Sequence, residues 1–176
     1  MFDILVMSEV QARYAFHNKP YAIIGFTDTD RIFPEYYESE NLVDALVLSV
    51  DDITETEENR VLFSYIHALQ ILTFVERHKN DIDLLIVHCV AGISRSPAVA
   101  AALSKIYGIN NYHTYFTLYR PNEHVFNVLM RVYNAYRRNI QGGKIRFPGK
   151  PLKYSDEELK SEAENFGYLI HSDEGN

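Results

Sequence analysis

DLLIVHCVAGISRSPAVAAALSKIYG, residues 83–108, passes from an almost unbroken apolar run through a short loop into an alanine-rich stretch. The run DLLIVHC is predicted to be a central strand buried on both faces, because a strand covered on one face only would alternate apolar and polar positions. SPAVAAALSKIYG predicts a helix that Gly108 stops. Between them lies a loop that begins at Cys89, the only cysteine among 176 residues, and reaches Arg95 six places later. Strand, tight loop and helix form the repeating unit of an α/β sheet.

The flanking sequence repeats the unit. FDILVM (2–7) reads as a short buried strand, and SEVQARYAFH (8–17) as a helix with Ser8 as its N-cap. YAIIGFTD (21–28) is a second apolar run closed by turn-forming residues, residues 28–41 read as loop, and DALVLSVDD (44–52) is a third strand running into two acids. TETEENRVLFSYIHALQILTFVERHK (54–79) is predicted to be one long helix, with acids in its first turns and bases near its end, as the helix dipole favours. EHVFNVLMRVYNAYRRN (123–139) is a further amphipathic helix. The expected fold is an α/β three-layer-type sandwich, a mainly parallel sheet flanked by helices. Past QGGKIRFPGKP (141–151) the periodicity breaks, so residues 1–145 are assigned to one domain and 146–176 to a tail. A short helix is expected in that tail from the capping-box pair Ser155 and Glu158.

Composition bounds the function. With 47% hydrophobic and 23% charged residues the chain is globular, and 176 residues suit one core. A single cysteine excludes a disulfide framework and a four-thiolate zinc site, and points to a reducing, cytoplasmic setting. A formal charge of -7 argues against a nucleic-acid partner. No apolar run is long enough for a bilayer, the first sixteen residues lack a leader's basic region, and no membrane partner is expected. The other six histidines have no metal-ligand spacing, and neither metal nor cofactor is expected.

The loop itself carries chemistry. In open α/β sheets ligands bind at the carboxyl ends of the strands, where Cys89 falls. A loop wrapped over a helix N-terminus turns backbone N–H groups inward, and Gly92 permits the torsions this requires. Arg95 offers a planar fork to two oxygens of a tetrahedral anion. Val90, Ala91, Gly92, Ile93, Ser94 and Arg95 therefore form a cradle suited to phosphate or a similar oxyanion. The same field lowers the pKa of Cys89, setting a nucleophilic thiolate beneath the bound group. A proton for the leaving oxygen has to come from a neighbouring acid. Asp51 and Asp52 end another parallel strand, hence lie on the same edge.

His88, Cys89, Gly92, Arg95 and Ser96 match H-C-x-x-G-x-x-R-[ST], and in this the chain resembles the cysteine-dependent protein tyrosine phosphatase superfamily. The order of acidic loop, helix, buried strand, signature loop and helix is similar to its dual-specificity branch, over roughly residues 2–139. The resemblance implies that Cys89 attacks phosphorus and forms a cysteinyl-phosphate, that Arg95 holds the transferring oxygens, and that Ser96 helps the sulfur leave. It implies Asp52 as general acid, since relatives with paired acids tend to use the second; Asp51 is the alternative. His88 acts indirectly on loop and thiolate, or is a satisfied core histidine. Arg120 and Asn122, in YRPNEHVF (119–126), either support the signature loop or make a turn and helix cap. Ser94 has no role assigned beyond turning the loop. The implied partner is a phosphorylated protein, with phosphotyrosine the first substrate and phosphoserine or phosphothreonine further ones. Inositol phosphates, phosphoinositides and RNA 5′-phosphates are alternatives, which a signature loop without lysine disfavours. A catalytically inactive phosphate-binding module is the alternative of another class.

Overall fold

The computed structural model describes residues 2–139. Its elements are β1 (Asp3–Ser8), α1 (Glu9–Arg13), β2 (Tyr21–Thr27), β3 (Leu42–Ser49), α2 (Tyr65–His78), β4 (Leu84–Cys89), α3 (Arg95–Tyr107), α4 (His113–Leu118) and α5 (Glu123–Asn139). Among the described residues the strands form one parallel sheet in the order β1-β4-β2-β3. The α/β architecture is therefore the expected one, with β4 inside the sheet and buried along its whole length. The assigned tail, residues 146–176 with Ser155 and Glu158, lies outside the described residues.

Pleating divides β2 and β4 between two cores. Ala22, Ile24 and Phe26 of β2 join Leu85, Val87 and Cys89 of β4 in the larger one, against α2, α3, α4 and α5. Tyr21 and Ile23 join Leu84 and Ile86 in a smaller one, covered by α1 and the loop carrying Tyr36. The layers are thus unequal. α3 lies deepest, with Ala98, Val99, Ala100, Ala101, Ala102 and Leu103 all fully buried. Small side chains let its backbone approach the sheet and α5 together, and Gly108 closes it in the left-handed conformation.

Four elements differ from the sequence reading. β1, expected to be buried, is an edge strand in which Ile4 alone of the six residues is buried. α1 has its capping box, Gln11 N–H to Ser8 Oγ at 3.3 Å and Ser8 N–H to Gln11 Oε1 at 2.9 Å, but ends at Arg13 rather than His17. The Arg13 carbonyl takes the Tyr37 N–H at 2.8 Å, and that of Ala15 takes the Tyr21 hydroxyl at 3.2 Å. α2 begins at Tyr65, so the acids at 55–58 are in a loop and not in its first turns. The cause is Asp51, whose backbone N–H donates to Val61 O at 2.9 Å and whose carboxylate takes the Val61 N–H at 2.8 Å. That pairing closes the nine-residue loop 52–60, with Asn59 in a left-handed conformation (φ 59°). α4 was not assigned from sequence; its buried anchor is the single residue Tyr115, too few apolar positions for a periodic signal.

Register sets the functional edge. Ser8 lies opposite Cys89, Gly25 opposite His88, and Thr27 opposite Ser49. The strands therefore finish level, and the residues that follow each of them emerge together. No helix among the described residues is long and apolar enough to cross a membrane.

Candidate active site

Four strand ends supply this edge. β4 delivers Cys89 and the signature loop, β2 delivers Asp28, β3 delivers Asp51 and Asp52, and β1 passes directly into α1 beneath the loop. Gly92 sits at φ 73°, and a β-carbon there would fall 2.7 Å from the Met7 carbonyl oxygen. Both conditions demand glycine. The Glu9 N–H donates to Val90 O at 3.3 Å, and the Arg120 N–H to Ile93 O at 3.1 Å, fixing the two halves of the loop.

Cys89 is 2% exposed. Burial pushes its thiol up, but the opposing influences together prevail and hold it below its ordinary value. They are the Ser96 hydroxyl, the backbone N–H groups of Ser96 and Ser94, and the Arg95 charge. The Ser96 hydroxyl donates to Cys89 Sγ at 3.2 Å.

Arg95 is buried and held from one side. Nη2 meets Asp28 Oδ1 at 2.7 Å, and Nη1 donates to the Val50 carbonyl. Nε has no hydrogen-bond partner and lies 4.0 Å from Asp52 Oδ2. A guanidinium has five N–H groups; two are used in orienting the plane, and the others remain for an anion.

The paired acids face different surroundings. Asp51 is buried, and its carboxylate accepts from Thr29 N–H (3.2 Å), Thr29 Oγ1 (2.8 Å) and Val61 N–H (2.8 Å). Burial pushes its carboxyl up, but those bonds and the Arg60 charge outweigh it and hold the group ionised. Asp52 is turned to the signature loop. Its Oδ1 accepts from Ser94 Oγ at 2.8 Å and Asn122 Nδ2 at 2.8 Å, while Oδ2 is the oxygen towards Arg95. Asp52, Ser94, Asn122 and Arg120 line a cleft of about 730 Å³ beside the loop.

Asn122 serves both the loop and a helix. Its Oδ1 accepts the Val125 N–H in the first turn of α5 (3.1 Å), its N–H donates to Ser94 O (3.1 Å), and Nδ2 also reaches Ile53 O (3.1 Å). Arg120 is exposed; the contact that ties it to the loop is made by its backbone.

His88 is fully buried on the opposite face of β4 from Cys89, and burial above all lowers its pKa to about 4, so the ring is neutral at neutral pH. Its Nε2 shares a 2.6 Å hydrogen bond with the Tyr36 hydroxyl. A β-carbon on Gly25 would collide with both groups, which explains a glycine inside β2.

The edge thus gathers Cys89, Arg95, Ser96, Asp52, Ser94 and Asn122, with Asp51 one layer out and His88 behind the strand. Asp28 and Tyr36 were not singled out from the sequence. Asp28 ends a parallel strand, as Asp51 and Asp52 do, and could have been found by the same rule. Tyr36 lies 52 residues from His88 with no local signal.

The whole arrangement has the dual-specificity phosphatase fold. No family model matches the sequence, and no curated protein matches it. Among solved structures, the chain is similar to the human tyrosine phosphatase-like serine/threonine/tyrosine-interacting protein. The two are 17% identical, over 76% of this chain and 93% of that one, with a TM-score of 0.51. It is also similar to human DUSP28, with 14% identity over 78% and 95% of the two chains and a TM-score of 0.50. At such identities the likeness is one of fold.

Proposed function

We propose that the chain is a cysteine-dependent phosphatase that acts on phosphorylated protein, with phosphotyrosine as the first substrate and phosphoserine and phosphothreonine as further ones. The observation that carries this is the 3.2 Å hydrogen bond from Ser96 to Cys89 Sγ, within a loop whose field draws the thiol down. A merely structural buried cysteine has no need of a hydroxyl donor, two backbone donors and a guanidinium.

The Cys89 thiolate attacks phosphorus and the bond to the leaving oxygen breaks. Asp52 gives that oxygen its proton. Arg95 and the loop N–H groups stabilise the equatorial charge. Water then attacks the cysteinyl-phosphate, its proton goes to the Asp52 carboxylate, and the phosphorus–sulfur bond breaks. The Ser96 hydroxyl stabilises the departing thiolate. An inactive binding module of this fold would be expected to lack the thiol, the arginine or the acid, and this chain has all three.

The test is a comparison of kcat/KM on tyrosine, threonine and serine phosphopeptides, inositol phosphates, phosphoinositides and RNA carrying a 5′-triphosphate. The phosphotyrosine peptide should lead. A lead for an inositide or the RNA would overturn the substrate class, and no turnover of any phosphate would overturn the catalytic reading.

A further inference from the structure

The hydrogen bonds around Asp52 are asymmetric. Both described donors, Ser94 Oγ and Asn122 Nδ2, converge on Oδ1 at 2.8 Å each, and Oδ2 is the atom that faces Arg95. A carboxyl oxygen has two lone-pair sites, and two donors fill them. The orientation of the Asn122 amide is settled by its own partners. Its Oδ1 takes the Val125 N–H, so its Nδ2 is turned to Asp52 Oδ1 and Ile53 O, and the two amide hydrogens match two acceptors. Asn122 cannot reverse that bond. Ser94 is half-buried, and its carbonyl oxygen is tied to the N–H groups of Ala98 and Asn122, at 3.2 and 3.1 Å, which holds its backbone in place.

We propose, resting on the acid role given to Asp52 above, that Ser94 is a positioning residue for this acid. With Asn122 it occupies Oδ1 and so directs the catalytic proton onto Oδ2, the oxygen turned towards the arginine of the phosphate cradle. In the first step the O–H bond at Oδ2 breaks. The proton passes to the leaving oxygen, and the electron pair stays on the carboxylate, whose Oδ1 already has its donors. The signature loop would thus set the state of the acid as well as binding the phosphate. Without the Ser94 hydroxyl, Oδ1 has room for the proton, and an acid protonated there points it away from the substrate.

The experiment is a double-mutant cycle read on two leaving groups, with phenyl phosphate as the demanding one and p-nitrophenyl phosphate as the activated one. Ser94→Ala should lower kcat on phenyl phosphate by about 10- to 100-fold, the worth of one hydrogen bond to a charged group. The loss should be clearly smaller on p-nitrophenyl phosphate, with KM little changed. Ser94→Thr, which keeps a hydroxyl, should recover most of the rate. In an Asp52→Asn background the Ser94→Ala change should cost almost nothing, because Ser94 acts through the acid. Equal losses on both substrates, full additivity with Asp52→Asn, or an unchanged or raised rate in Ser94→Ala would each overturn the proposal. Should Asp52→Asn itself show no leaving-group dependence, the acid assignment falls and the proposal falls with it. If Asp52→Asn behaves as an acid variant while Ser94→Ala is silent, the phosphatase reading stands and only the positioning role is lost.

Discussion

Asp51 and Asp52 are adjacent, alike in chemistry and opposite in environment. Three donors surround the Asp51 carboxylate, and all are protein groups that need an acceptor. Asp51→Asn turns an amide N–H towards some of them. The expected cost is about 1–3 kcal/mol of stability, seen as a drop in Tm of roughly 2–4 °C per kcal/mol, with leaving-group dependence retained. Asp52→Asn should instead keep Tm and lower kcat by ~10²–10⁴-fold on a poor leaving group. An exchange of these two phenotypes would reverse the assignment. At Cys89 the alkylation rate should inflect below the ordinary thiol value of about 8.5, because burial is outweighed by Ser96, the loop N–H groups and Arg95. Ser96→Ala removes one of the opposing donors, so the inflection should move to higher pH. An unchanged inflection would mean that the hydroxyl does not act on the thiolate.

The loops after β2 and β3 act together. Thr29, beside Asp28, donates twice to Asp51, and Asp28 itself orients Arg95. Asp28→Asn leaves the guanidinium plane less defined while the arginine remains. Its kcat/KM should fall about 10- to 100-fold on activated and poor leaving groups alike, in contrast to variants that act through the acid. Equal activity in Asp28→Asn and the parent protein would remove Asp28 from the site. These loops are also the part of the fold least legible in the sequence. β4, α3 and α5 were legible because each is continuous in chain and in pattern, and the signature loop lies wholly within 83–108. The start of α2 was misplaced because TETEEN has the propensity of a helix start. What holds this segment out of the helix is the pairing of Asp51 with Val61, one on each side of it. Asp52, Ser94 and Asn122 lie in three separate stretches of the sequence. Their convergence spans 70 positions in the chain and follows from the level strand ends of a parallel sheet.

For the molecule as a whole, His88 makes folding depend on pH. Its pKa falls from about 6.5 to about 4 on folding, chiefly through burial. Between those values the unfolded chain holds more protons at this residue than the native chain does, so native stability rises with pH there. The contribution is complete above pH 6.5 and is lost as pH falls towards 4; its size is about 3 kcal/mol. Denaturant titrations across that window should show the fall, and His88→Gln should flatten it. An equally steep fall in the variant would assign the effect to carboxylates instead. The cause is structural: the ring lies behind the strand that carries Cys89, against Tyr36, in the space left by Gly25.

All of these expectations assume that phosphorus passes through sulfur. Acid-quenching a turnover reaction with an aryl phosphate, followed by peptide mass spectrometry, tests that directly. A phosphoryl group should appear on the peptide containing Cys89, accumulate within the first turnover and disappear as substrate is exhausted. Cys89→Ser should give neither that cysteinyl-phosphate nor turnover. Sustained turnover with no such adduct, an adduct on another residue, or activity retained in Cys89→Ser would contradict it.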